Sequence, residues 1–268
     1  MSSACWLFRT LACGIVCATI SVPACADDKA ANAATLRPLL ETFAKEFVAI
    51  TPGQGKFPAT FQFGPPDATR EVRLAGSFSL AKYEVPQNLY EAVMGEEPSR
   101  WKGPRNSVEM MSAADAERFC QKITESLRTA GLLKEGEEIR LPTEEEWEYC
   151  CRAGTTTRYS FGDEAQRPDD RSPRASLLDK YGWHHGNAAG NDPPVGALAP
   201  NPWGLYDMHG YLWEFTSGGP KGKVVVRGGS WKDDFQKLTS SSRKELPADA
   251  RDDAIGFRCV KAATKPGR

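Results

Sequence analysis

Arg140-Leu-Pro-Thr-Glu-Glu-Glu-Trp-Glu-Tyr149 is the stretch on which the fold turns. Thr143, with Glu146 three residues on, is a capping box: hydroxyl and carboxylate each take a backbone N–H that the first helical turn leaves free. A helix therefore opens after Thr143 and carries Trp147. Upstream, Ser112 and Asp115 repeat the pattern. Phe119, Cys120, Ile123 and Leu127 then fall on one helical stripe, which Gly131 ends. Pro86 opens a shorter helix over residues 87–94. Alternating apolar runs at 57–63, 71–74 and 78–83 read as strands, as do 223–227 and 255–260. Residues 154–219 have little periodicity and much Gly, Pro and Asn. Nine aromatic residues among them argue for ordered loops rather than disorder.

The chain has 268 residues, 26% charged and 40% hydrophobic, with a formal charge of −1. That length supports one large core or two small ones. A near-zero charge supplies no field to gather DNA or RNA, so no nucleic-acid partner is expected. Arg9 is the only charge before Asp27, an apolar run follows it over 10–22, and Ala24-Cys25-Ala26 is a small-residue cleavage site. Residues 1–26 thus read as a secretory signal peptide, too short for a membrane span of about 20 residues. Val22-Pro23-Ala24-Cys25 also loosely resembles a lipoprotein cleavage site. The expected location is periplasmic or extracellular, with no membrane contact beyond this segment.

Cleavage after Ala26 leaves Cys120, Cys150, Cys151 and Cys259, which in an exported protein can form disulfides in three pairings. Residues 27–54 divide into a polar tether over 27–33 and an amphipathic helix, with Leu36, Leu39, Leu40, Phe43 and Phe47, running to Ile50. A domain over 55–262 and a tail over 263–268 follow.

Three further stretches stand in order after the first: Asn201-Pro-Trp-Gly-Leu-Tyr-Asp-Met-His-Gly210, Arg227-Gly-Gly-Ser-Trp231 and Gly256-Phe-Arg-Cys259. Lys82-Tyr-Glu-Val85 and Tyr90-Glu-Ala-Val-Met-Gly95 precede them. Together they closely resemble the formylglycine-generating enzyme (sulfatase-modifying factor) family over about residues 57–260. The resemblance implies an irregular α+β fold related to C-type lectins, with little regular secondary structure. It also implies a reaction, the oxidation of a sulfatase cysteine to formylglycine with O2 and copper. Other branches of the family are iron-dependent sulfoxide synthases.

The copper chemistry of the family needs a cysteine pair shortly after the Gly-Gly-Ser-aromatic motif, because thiolates suit soft Cu(I). Here Trp231 is followed by Lys-Asp-Asp-Phe-Gln-Lys-Leu-Thr-Ser-Ser-Ser-Arg243, with no cysteine, and Leu238 stands about where many bacterial relatives have one. Copper is therefore not expected as a cofactor, and no catalytic residue is identified. An iron site needs about three nitrogen or carboxylate ligands. The only histidines are His184, His185 and His209, and adjacent ones point apart in extended backbone. Trp213 and Ser230 match positions bordering the family's active-site cleft, so they are the cleft candidates.

The family's calcium pattern matches Asp207, Gly210, Leu212 and Glu214, the outer two through side-chain oxygens and the inner two through carbonyls. Tyr211 and Phe215 depart from the family's usual Asn and Trp. A second calcium site would begin at Asn187, with Asn191 or Asp192. Cys120 and Cys259 match a family disulfide. Cys150 and Cys151 are either buried free thiols or a vicinal pair. The expectation is an exported, non-copper binding or accessory module with structural calcium, its partner a protein or peptide such as a sulfatase. The alternative is an oxidase of the family type acting through unidentified ligands.

Overall fold

A computed structural model describes residues 24–188 and 192–264. The expected signal segment falls outside these residues except for its last three, and most of the C-terminal tail also falls outside. Helix α1 (Ala24–Lys45) runs through the stretch expected to be a loose tether. It stops well short of Ile50, because Phe47–Ile50 is a strand, β1. The spacing of Phe43 and Phe47 continues the helical stripe. Pairing decides otherwise: Val48 lies opposite Leu80 and Ile50 opposite Phe78 on β4 (Phe78–Ala81). The N-terminal segment is thereby built into the main sheet rather than appended to it.

That sheet runs β1-β4-β10-β5, with β5 at Glu137–Arg140 and β10 at Val260–Ala263, all antiparallel. Ile50, Leu80 and Val260 are fully buried on it, and each such aliphatic side chain contributes about 1.5–3 kcal/mol. A hairpin of β2 (Phe61–Phe63) and β3 (Arg70–Val72) is shorter than the apolar runs suggested. The third sheet runs β8-β7-β6-β9, where β6 is Trp213–Thr216, β7 Lys223–Arg227, β8 Arg243–Pro247 and β9 Ile255–Gly256. The single strand expected over 255–260 is therefore two strands, β9 and β10, serving different sheets.

Helices α2 (Gln87–Met94), α3 (Ala113–Thr129) and α4 (Glu144–Arg152) stand where their caps placed them. Both capping boxes form, Ser112 with Asp115 and Thr143 with Glu146. One core joins α1, α2 and α3 through Leu40, Phe43, Tyr90, Phe119 and Phe257. A second gathers Trp147, Tyr149, Trp203 and Met208 under α4. The loops over 154–219 are ordered around such rings: Tyr159, Phe161 and Tyr181 stack in series. The fold is mixed α and β with small sheets and long ordered loops.

Candidate functional site

The Asn201–Gly210 loop is anchored beneath α4. The Asn201 side chain donates to the Cys150 carbonyl at 2.8 Å and accepts from Trp203 N at 3.0 Å. The loop then turns through Asp207 (φ 57°), Gly210 (φ 120°) and Tyr211 (φ 85°). A Cβ on Gly210 would lie 2.4 Å from both Leu238 Cδ2 and the Trp183 carbonyl, so only glycine fits. This turn brings Asp207 and Glu214 beneath Arg258, the arginine of the Gly256-Phe-Arg-Cys259 stretch.

Arg258 is fully buried and donates through Nε and Nη2 to the two oxygens of Glu214, at 2.7 Å each. Its remaining donors go to the Lys82 and Tyr206 carbonyls at 3.0 and 2.9 Å. Trp147 Nε1 also donates to Glu214, at 2.8 Å. Glu84 completes the group: Leu212 N donates to its Oε1 at 3.3 Å, and its Oε2 has no partner. Asp207 accepts from Gly196 N at 2.8 Å through Oδ2, while Oδ1 has no partner. Three buried carboxylates thus face one guanidinium. Burial, with Glu214 adding to it, pushes the Asp207 carboxyl up to about 6. Burial first, then Glu214 and Asp207, push Glu84 well above its ordinary value.

Asp207 Oδ1 and Glu84 Oε2 are buried oxygens without a donor, the kind of oxygen a hard divalent cation takes up. The donor set differs from the expected one. Asp207 has an oxygen to offer, whereas Glu214 is already engaged by Arg258 and Trp147. Glu84 supplies the second open oxygen and was not singled out in the sequence. Among the described residues no three His, Cys, Asp or Glu side chains converge as they would around a metal. A cation here would therefore draw on backbone carbonyls as well, for which Gly210 and Leu212 are the expected sources. At the second expected calcium position, Asn187 is spent on its own turn, accepting from His184 N and donating to the Gly182 carbonyl. Asp192 accepts from Asn106 Nδ2 and from the Tyr211 hydroxyl. Asn191 lies outside the described residues.

The cleft candidates are brought together by a residue the sequence reading passed over. Strand β7 runs into Gly228-Gly229-Ser230, and the next turn presents Asp233. Ser230 Oγ, Ser230 N and Trp213 Nε1 all donate to Asp233 Oδ2, at 2.7, 3.1 and 2.8 Å. Ser230 and Trp213 are both buried. Their polar atoms are consumed within the chain by this one carboxylate. Leu238 is fully buried against Gly229 and Gly210 and offers no ligand.

The thiols lie elsewhere. Cys120 and Cys259 face each other with Sγ atoms 4.0 Å apart and unbonded. Cys150 and Cys151 are separate buried thiols. Burial pushes Cys151 up to about 12, and its Sγ donates to the Met208 carbonyl at 3.3 Å. It is no thiolate at neutral pH. His209 accepts from Ser160 N at Nε2 (3.0 Å), which leaves Nδ1–H to donate to the Leu238 carbonyl at 2.9 Å. Burial lowers it to about 4, so it stays neutral. His184 Nε2 bonds Asp179 at 2.8 Å, and its Nδ1 accepts from Gly186 N. Both ring nitrogens of each of these histidines are occupied.

Around Trp231 the surface is aromatic. Trp101 is 44% exposed, the one large hydrophobic side chain so exposed among the described residues. Trp101 Nε1 donates to Asp253 Oδ2 at 3.3 Å and Trp231 Nε1 to the Asp253 carbonyl at 3.2 Å, so two indoles converge on one residue. Arg100 lies over the Trp101 ring and Lys232 over the Trp231 ring.

These observations meet the comparisons with known proteins. The family model for the sulfatase-modifying factor enzyme 1-like domain matches residues 33–263, so the chain belongs to that family. It is 34% identical over 142 residues to the inactive C-alpha-formylglycine-generating enzyme 2 of Mus musculus, covering 47% of this chain and 44% of that protein. The match thus spans under half the length of that curated relative. A protein of Paenibacillus barcinonensis named chaperone protein LppX is 25% identical over 224 residues, covering 69% of this chain and 80% of its own. Among solved structures, PvdO from Pseudomonas aeruginosa superposes with a TM-score of 0.64 at 22% identity, over 80% of this chain and 93% of that one. That likeness establishes the fold alone.

Proposed function

We propose that the chain is an exported, non-copper member of its family, acting as a binding or accessory module. The observation that carries this reading is Asp233. In the segment where the family's copper thiolates fall, the chain supplies a carboxylate that takes up the polar atoms of Ser230 and Trp213. The mouse relative named as inactive and the Paenibacillus relative named as a chaperone support the same direction. The surface of Trp101 and Trp231 is the place for a protein or peptide partner, of which a sulfatase is the first to try, because indoles supply contact area at low entropic cost. Calcium, held by Asp207 and Glu84 with backbone carbonyls, is a structural element of the module. It neutralises buried negative charge and takes no part in a reaction. Outside the cell, Cys120 and Cys259 close as a disulfide.

The test is direct. The purified chain is supplied with Cu(I), O2 and a cysteine peptide of the sulfatase type, and the aldehyde is sought by mass spectrometry. No product is expected, where a copper-dependent family oxidase run in parallel converts the peptide. Turnover comparable to that oxidase overturns the reading.

A further inference from the structure

On the face formed by β2, the end of α4 and the segment after Asp234 lies a groove of about 250 Å³. Its walls are Gln62, Thr69, Arg152, Thr156, Arg158 and Thr239, with Thr157, Gln236, Ser241 and two prolines completing them. No carboxylate lines it. Five hydroxyl side chains, two amides and two guanidiniums surround one space. At about 30 Å³ per water in the liquid, it holds roughly eight waters' worth of ligand.

The donors differ in how far the chain has already used them. Arg152 is fixed: Nε donates to Glu148 Oε1 at 2.9 Å, Nη2 to the Gly64 carbonyl at 3.0 Å and Nη1 to the Thr157 carbonyl at 3.2 Å. Glu148 is shared with the Arg227 guanidinium, which also lies 3.7 Å from Glu144. Arg158 is exposed, and its guanidinium makes no ion pair or hydrogen bond among the described residues. Its ring contact is with Tyr159, at 5.8 Å from the centroid. Asp163 accepts from the backbone N–H of Arg158 rather than from its side chain. Thr69, Thr156 and Ser241 hydroxyls, and the Gln62 and Gln236 amides, have no side-chain partner among the described residues.

A pre-set guanidinium, a free one and a ring of unspent neutral donors match a tetrahedral oxyanion. We infer that this groove binds a sulfate or phosphate group, free or as an ester, with Arg158 as the principal contact and Thr156 and Ser241 as hydroxyl donors. No wall residue is an aromatic ring that would stack on a sugar face, so the anionic group itself carries the recognition. Neither Asp233 nor the acids around Arg258 line it.

Isothermal titration of the full chain with inorganic sulfate, inorganic phosphate and glucose 6-sulfate, in low-salt acetate buffer, tests it. Saturable binding of at least one probe is expected, weakened at least tenfold by Arg158→Ala and several-fold by Thr156→Val, and partly restored by Arg158→Lys. Both positions are exposed, so melting without ligand should be unchanged and loss of binding is not loss of fold. Tighter binding of the sugar ester than of inorganic sulfate assigns the ester as the source, and equal binding assigns the free ion. Absence of saturable binding, or binding that Arg158→Ala leaves intact, overturns the inference.

Discussion

Asp233 and Asp207 carry the two halves of the site, and the chain treats them in opposite ways. Asp233 Oδ2 accepts three donors, from Ser230 N, Ser230 Oγ and Trp213 Nε1. Asp207 Oδ1 accepts none, and its neighbours Glu84 and Glu214 add negative charge against the single Arg258. A carboxylate whose donors all come from its own chain closes a site, because nothing is left to recognise. A buried carboxylate oxygen without a donor marks a place where a proton or a cation can be taken up. One loop thus satisfies its carboxylate oxygen from within, and the other leaves a buried oxygen unmet.

The largest expected effect is at Arg258. Arg258→Met strands Glu214 beside Glu84 and Asp207, and leaving buried charge unpaired costs about 3–5 kcal/mol. Calorimetry in chelator should show a correspondingly large fall in melting temperature. A loss under about 1 kcal/mol would mean that the acids are held neutral and that the contrast with Asp233 is false.

The next effect is on pH dependence. Asp207 is pushed up to about 6 in the fold, from an ordinary value of 3.8. The folded state therefore holds that proton more tightly than the unfolded chain. The stability it contributes is full below about pH 4 and is lost as pH rises through about 6, amounting to about 3 kcal/mol. In chelator, melting temperature should fall over that interval, and Asp207→Asn should flatten the fall. Calcium at a hundred times its Kd should restore about 2.7 kcal/mol at pH 7. Identical melting in calcium and in chelator would remove the cation from the comparison.

Asp233→Ala should have the smallest effect, because Asp233 is only half-buried. Unpairing the Ser230 hydroxyl and Trp213 indole costs about 1–3 kcal/mol before water takes their place. Urea denaturation reads the cost, and the NMR shift of the Trp213 indole N–H reads the lost bond. An unchanged indole shift would show that Asp233 does not close the cleft in solution.

Much of the architecture was legible because it is local. The boxes at Ser112 and Thr143 depend on residues three apart, and they form as read. Residues 47–50 were misread because Phe47 prolongs a helical stripe, and only pairing with Phe78–Ala81 makes them a strand. The run over 255–260 was misread because it looks continuous. In the fold Arg258 turns inward to Glu214, so the strand before it and the strand after it join different sheets. Asp207 and Glu214 could be matched to a spacing. Glu84 could not, because it meets Leu212 across 128 residues of chain.

The helix caps, the family and the lack of thiolates after Trp231 are legible in residue order alone, since each is a matter of which residue follows which. Which oxygens are left without donors emerges from the folded chain. It set three acids around one arginine, gave Asp233 the donors that Asp207 lacks, and left Arg158 unpaired beside Arg152. Burial and Coulomb energy depend on distances between segments far apart in the chain, and no local pattern of residues encodes them.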